Sequence, residues 1–438
     1  MKKILIITYY WPPSGGSGVQ RWLKFVKYLT QMNYHCIVYT PENPEMPTID
    51  NSHLSDIPKK NITVLKTKII EPYTLYKKFT GKSSNEKITV SFLNEKNSKP
   101  SLSEKISKWI RGNIFIPDAK MLWIKPTVRY LTKYLNSNKV DAIISTGPPH
   151  SLHLIAYHIK KKFPHIQWIA DFRDPWTNID FLNELYLSKF AQKKHQSLEK
   201  KVIQKADKII TVSYTLTLEL QKKDPQHPEK FFTITNGFDP DDFSEISIQS
   251  NPHQFVLCYT GLLPANRNPK LLWKAIAELS QENKLPQNFK IQLIGKADAS
   301  IWESIKTNNI QQYIENIGYL PHSETLKISS QANALLLIIN EAPNNKGILT
   351  GKLFEYLALQ KPILTIGPKD GDAAKIIYET QSGIVAEPHD LSEIKNALLT
   401  LFQTPTSHFQ NSNYLKFSRK QLTQELIKCI ESITPKLL

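Results

Sequence analysis

Short, continuously apolar runs alternate along this chain with stretches in which apolar residues recur at helical spacing. In the first half the apolar runs fall at residues 3–9, 36–39, 62–65, 142–145, 168–170, 208–212 and 232–235. Runs of this length without a polar face predict strands buried on both sides, as in a parallel sheet covered by helices. Residues 19–29, 151–162 and 185–204 lie between them and read as amphipathic helices. A polar stretch at 244–253 breaks the rhythm, which then resumes. Strands are predicted at 255–260, 290–294, 314–317, 334–338, 362–366 and 383–385, and helices near 269–280, 299–307, 323–331, 349–360, 373–380 and 391–402. Residues 413–433 form a last amphipathic helix. The expected organisation is α/β: a doubly wound parallel-sheet domain over 1–245, a second over 246–412, and a helix over 413–438 packing back towards the first.

Length agrees, since 438 residues exceed one ordinary core. Charge adds something the periodicity lacks. The chain carries a formal +17, and between residues 59 and 133 there are seventeen Lys plus Arg against five Asp plus Glu. The excess coincides with an interruption at 71–118, polar and lysine-rich at first, then amphipathic with Trp109, Ile110, Ile114 and Phe115. Two readings stay open: a solvated insertion, or a docking surface for an anionic membrane or an acceptor. The chain lacks an aromatic-rich basic motif of a known nucleic-acid module, so no nucleic-acid partner is expected. No window approaches the roughly 18 apolar residues of a membrane span, and the short apolar start reads as a first strand rather than a leader. Three widely spaced cysteines, Cys36, Cys258 and Cys429, point to a reducing compartment and away from disulfides. The expected location is cytoplasmic, peripheral on the inner face of the membrane.

The densest chemistry lies at residues 347–358, where a glycine-bearing loop runs from a buried strand into a helix. Such a helix start presents the backbone N–H groups of Thr350, Gly351 and Lys352 to an anion. Glu355, one turn on, is placed to accept hydrogen bonds from ribose hydroxyls, so the pair of features points to a nucleotide. After the first strand of the second half, Arg267 and Lys270 are candidates to clamp a diphosphate. In the first half, Gly15 and Gly16 lie in a loop over residues 11–21 whose amides are expected to face a cleft. A dinucleotide fingerprint is incomplete there, because its third glycine position is Arg21. Asp171, Arg173 and Asp174 end another strand, and the reading leaves open which of them meets substrate and which forms an internal Arg–Asp clamp. His150 neighbours them by topology, as a catalytic or a structural histidine. Asp239-Pro-Asp241 has the form of an Asp-x-Asp metal motif, but beside Asn236-Gly237 it reads as turn chemistry, so no metal and no cofactor are expected.

Taken together, the Pro-Pro-x-x-Gly-Gly loop, residues 206–213, Asn236-Gly-Phe-Asp, Tyr259-Thr-Gly and residues 351–363 resemble glycosyltransferase family 4, retaining enzymes of the GT-B fold. Gly147-Pro-Pro-His-Ser and Ala170-Asp-Phe-Arg-Asp-Pro-Trp resemble the subgroup that builds surface polysaccharides on lipid carriers. The resemblance implies two Rossmann-like domains facing a central cleft and transfer of a hexosyl or N-acetylhexosaminyl group from a nucleoside-diphosphate donor, UDP-linked, to a lipid-linked or polysaccharide acceptor. It implies a donor site of Arg267, Lys270, the 350–352 amides and Glu355, with Gly15, Gly16, Asp171, Arg173, Asp174 and His150 completing the cleft. Two positions depart from the family pattern: Gly347 stands where its first glutamate falls, and Leu262 where a loop arginine falls. A nucleotide-sugar epimerase of the same architecture and a non-catalytic nucleotide-sugar binder are the alternatives.

Overall fold

In a computed structural model the thirteen expected strands all form, and each lies in one of two parallel sheets. The structure describes residues 1–46, 49–71, 102–179, 182, 185–247, 253–409 and 411–432. The lysine-rich part of the expected insertion, residues 72–101, lies outside them. The chain divides into two compact units, one holding the residues up to Thr235 together with those from Arg419 onward, the other centred on Asn236–Ser418.

The first unit contains β1 (Lys2–Ile7), β2 (Tyr34–Pro41), β3 (Ile62–Thr67), β4 (Ala142–Gly147), β5 (Gln167–Phe172), β6 (Lys208–Thr211) and β7 (Phe231–Thr233) in the order 3-2-1-4-5-6-7. Its helices are α1 (Ser17–Gln31), α2 (Leu102–Asn113), α3 (Ile124–Ser137), α4 (Ser151–Lys162), α5 (Lys189–Lys205) and α6 (Tyr214–Gln221). Successive residues of β1 supply different cores: Ile4 and Ile6 pack with Val19, Trp22 and Val26 of α1, and Leu5 and Ile7 with Leu152 and Ile155 of α4. That two-sided burial is why the strands carry no polar face.

The second unit contains β8 (Val256–Thr260), β9 (Lys290–Ile294), β10 (Ile314–Gly318), β11 (Ala334–Ile338), β12 (Ile363–Ile366) and β13 (Gly383–Ala386) in the order 10-9-8-11-12-13. Its helices are α7 (Lys270–Gln281), α8 (Ala299–Thr307), α9 (His322–Ser330), α10 (Gly351–Ala358), α11 (Asp372–Thr380) and α12 (Leu391–Gln403). The last helix, α13 (Arg419–Glu431), belongs to the first unit, where Leu422, Leu426, Cys429 and Ile430 join the α1 core. The buried Lys208 ammonium bonds the carbonyls of Cys429 and Ser432, satisfying the end of that helix.

In each sheet the chain reverses its direction of travel between two neighbouring strands, β1 and β4 in the first and β8 and β11 in the second. The connections leaving those strands must diverge, and the gap at their carboxyl ends is where open α/β sheets hold ligands. The Gly15–Gly16 loop and His150 follow β1 and β4, and Arg267 and residues 350–352 follow β8 and β11.

Two helices, α3 and α6, depart from the expected pattern. In α3 an apolar face of Thr127, Leu131 and Leu135 is present in sequence, but Pro126 near the helix start reads as a break. In α6 the alternating Thr-Leu-Thr-Leu pattern mimics a strand, and only the Ser213 cap, which accepts a bond from the Leu216 amide, marks a helix.

The first unit holds a fully buried ion pair. Arg21 bonds Asp171 Oδ1 at 2.9 Å, and Asp171 Oδ2 accepts from Trp22 Nε1 at 2.7 Å and Thr146 Oγ1 at 2.8 Å. Arg21 also donates to the carbonyls of Ile234 and Thr235. Burial pushes the Asp171 carboxyl up, but the Arg21 charge and these donors outweigh it and hold the carboxyl below the usual range. Removing one charge would strand the other in a dry site, so Asp171→Asn is expected to lower the unfolding free energy by about 3–5 kcal/mol, read from urea denaturation curves.

Candidate active site

The short helix α10 is fixed by its apolar face and by one tyrosine. Leu353, Phe354 and Leu357 enter the core beneath it. The Tyr356 hydroxyl accepts the Thr260 N–H at 3.1 Å and lies 3.1 Å from Thr260 Oγ1, which ties the helix to the last residue of β8. Its amino-terminal end therefore stands beside the loop that begins at Gly261. That glycine has φ +86°, a backbone conformation that favours glycine, and the Lys352 side chain passes over it.

At the helix start, Thr350 occupies the cap position with extended backbone but makes no capping bond, and its buried Oγ1 has no hydrogen-bond partner. The space where a Gly351 side chain would stand is open. Lys352 turns back over the Tyr259 ring, its Nζ 4.1 Å from the centroid and 2.8 Å from the phenol oxygen. The same oxygen donates to the Leu262 carbonyl at 2.8 Å, and the Arg267 charge acts on the phenol from nearby. Arg267 Nε is buried without a hydrogen-bond partner. Burial and the neighbouring Arg267 bring the Lys352 ammonium down to about 7, partly offset by Glu355. Burial pushes the Tyr259 phenol up to about 12 against the pull of Arg267. Two basic side chains thus stand about one neutral phenol, an arrangement that favours an arriving anion.

Glu355 lies one turn along, its Oε1 3.0 Å from His322 Nε2 at the start of α9. Sequence reasoning misses His322: it sits 33 residues away, and no motif marks it. Lys270 is exposed on the first residue of α7, with no bond to the Tyr259 cluster among the described residues. Gly347, where the family pattern has a glutamate, lies in a single 3-10 turn, and Glu341 is turned outward near His389 at 3.7 Å.

In the first unit the expected residues split into roles. Asp171 is fully buried with its bonds directed inward, so it is the internal clamp; its partner is Arg21, not the Arg173 beside it in sequence. Arg173 donates to the carbonyls of Gly18, at 2.9 Å, and Pro148, and lies over the Tyr10 ring, joining the loops after β1 and β4. Asp174 is exposed at the turn after β5. Gly15 is buried, and Gly16 caps α1 with φ +91°. His150 stacks on Trp176 with ring centroids 4.6 Å apart, and its buried Nδ1 lacks a hydrogen-bond partner. Burial, with His153, His195 and Arg173 nearby, drops its ring well below the ordinary histidine value, so it is neutral at physiological pH. Among the described residues no acidic, histidine or cysteine cluster could hold a metal. Asp239 instead accepts a bond from the Asp241 amide at 3.2 Å and caps a short turn.

His322 and Glu355 are both partly exposed, which limits what their contact adds to stability. His322→Ala is expected to change the unfolding free energy by less than about 1 kcal/mol in thermal melts.

Residues 254–404 match the family described as "Glycosyl transferases group 1". A stretch of 221 residues is 27% identical to the putative teichuronic acid biosynthesis glycosyltransferase TuaH of Bacillus subtilis. That match covers 45% of this chain and half the length of that relative. Among solved structures, one described as "Trehalose-6-phosphate from E. coli bound with UDP-2-fluoro glucose" superposes with a TM-score of 0.64 at 11% identity, covering 99% of each chain. A point mutant of S. aureus TarM, in complex with fondaparinux, alpha-GlcNAc-glycerol and UDP, superposes with a TM-score of 0.58 at 12% identity, covering 99% of this chain and 100% of that one. With two parallel sheets of this order, the chain has the GT-B fold of two Rossmann-like domains, and the stretch that matches the glycosyltransferase model lies within the second of them.

Proposed function

We propose that the chain is a retaining glycosyltransferase that moves a sugar from a UDP-linked donor to a lipid-linked or polysaccharide acceptor in surface-polysaccharide synthesis. The observation that carries this reading is the second-unit cluster. An uncapped helix start, the Arg267 and Lys352 cations and, one turn on, the Glu355 carboxylate combine the features that recognise diphosphate and ribose. The relatives support it: one is described as bound with a UDP-sugar analogue, another as in complex with UDP and a GlcNAc-glycerol, and TuaH as a teichuronic acid biosynthesis glycosyltransferase.

In this mechanism the donor diphosphate leaves while the acceptor hydroxyl attacks from the same face of the sugar, and a diphosphate oxygen takes the hydroxyl proton. Negative charge grows on the leaving diphosphate, and Arg267 with the helix amides stabilises it. A thermal-shift screen of UDP-, GDP-, ADP- and CMP-sugars is expected to favour a UDP-sugar, since a ligand that binds only the folded state raises its apparent stability. Loss of the charged hydrogen bond in Glu355→Ala is expected to weaken that donor roughly ten- to a hundredfold. Unchanged stabilisation in the variant would refute the ribose assignment.

The same proposal includes an anionic membrane as partner. Leu102, Ile106 and Trp109 recur at i, i+4 and i+7 on α2 and are 75%, 50% and 46% exposed, with Lys105, Lys108 and Arg111 on the same helix. An apolar stripe flanked by cations suits an interface carrying acidic headgroups. Sedimentation with vesicles should show binding to phosphatidylglycerol-containing but not neutral membranes, weakened by salt and by Trp109→Glu. Equal binding to both vesicle types would contradict it.

A further inference from the structure

The charged groups around Tyr259 point to a function for the tyrosine and the lysine that donor binding alone does not require. Three groups act on the Lys352 ammonium directly and a fourth stands behind one of them. Tyr259 comes from β8, Arg267 from the turn that follows, Glu355 from the same helix, and His322 of α9 acts through Glu355. Glu355 Oε1 is 3.0 Å from His322 Nε2, and the hydrogen bond of the lysine goes to the neutral phenol oxygen. The Arg267 charge acts on the same phenol, and the buried Arg267 Nε has no hydrogen-bond partner. The site therefore holds two cationic side chains side by side without a carboxylate for each.

We propose that Tyr259 is a positioning residue that gathers Lys352 and Arg267 into one anion clamp, and that Lys352 takes up a proton from solvent when the diphosphate of the donor arrives. The inference rests on the donor-site reading above and adds a proton-linked lysine to it. In the empty site burial and Arg267 disfavour the second charge and bring Lys352 down to about 7. An incoming diphosphate brings negative charge beside the ammonium and reverses the balance. Binding then draws a proton from the buffer onto Nζ, and donor affinity falls as pH rises through the empty-site value. Tyr259 contributes by direction: its one proton is committed to the Leu262 carbonyl, so its oxygen is left to accept from Lys352 beside Arg267.

The test is calorimetric titration of the full chain with UDP-glucose, whose phosphates do not titrate between about pH 6 and 8.5. For the wild type, affinity should fall roughly 25-fold from about pH 6.5 to 8.5. Near neutral pH the observed heat should differ between buffers of unlike ionisation enthalpy, as proton uptake requires. Lys352→Arg, whose guanidinium stays charged, should bind with little pH dependence, and Lys352→Gln should bind weakly at every pH while keeping its thermal melting profile. Tyr259→Phe, which keeps the ring and removes the oxygen, should weaken binding without abolishing the pH dependence. Wild-type affinity that is flat across this range, while Glu355→Ala still weakens binding, would overturn the proton-linked clamp and leave the donor site standing. Failure of UDP-, GDP- and ADP-glucose alike to bind the wild type would overturn the donor-site reading and this inference with it.

Discussion

The constraint on which the candidate site depends is the seating of α10 against the end of β8. Tyr356 reaches across to the Thr260 amide, and Gly261, with φ +86°, lets the backbone pass close under Lys352. Both features sit where the sheet reverses its strand order, so the helix start and the loop after β8 must be neighbours. Core packing of Leu353, Phe354 and Leu357 then sets which way the helix start points. The chemistry is thus a consequence of apolar burial: the polar end of the helix is presented because its other face is committed.

A similar economy holds in the first unit, where the Arg21–Asp171 pair ties α1, the helix that follows β1, to β5, the strand beside β4. A buried ion pair of this kind contributes little net stability against an apolar replacement, but it penalises any arrangement that separates its partners. Here it joins α1, β5, the end of β4 and residues 234–235. Arg173 adds a second tie between the loops after β1 and β4. His150, neutral and stacked on Trp176, lies at the edge of this network with a ring nitrogen unpaired.

Much of the architecture is legible because burial on both faces of a parallel sheet leaves a plain mark, and every apolar run becomes a strand. The helix start at residues 350–352 and Glu355 are legible for a related reason: glycine, a strand before and an amphipathic stretch after form a local pattern. What local pattern cannot carry is the partner. Tyr259 and Lys352 are 93 residues apart, Arg21 and Asp171 150, and His322 and Glu355 33. In sequence Arg21 stands out only for spoiling a glycine fingerprint, and the adjacent Arg173 is the nearer candidate to pair with Asp171. Helix α6 hides behind an alternating pattern for the same reason, its identity resting on a cap and a tertiary surface rather than on its own period.

The most direct test of the donor-site account is hydrogen–deuterium exchange of the full chain with and without a saturating UDP-sugar. Ligand held by the α10 amides and the Tyr259 cluster should slow exchange in peptides covering residues 259–270 and 347–358. Protection that leaves both of these peptides unchanged while the ligand is bound would contradict it.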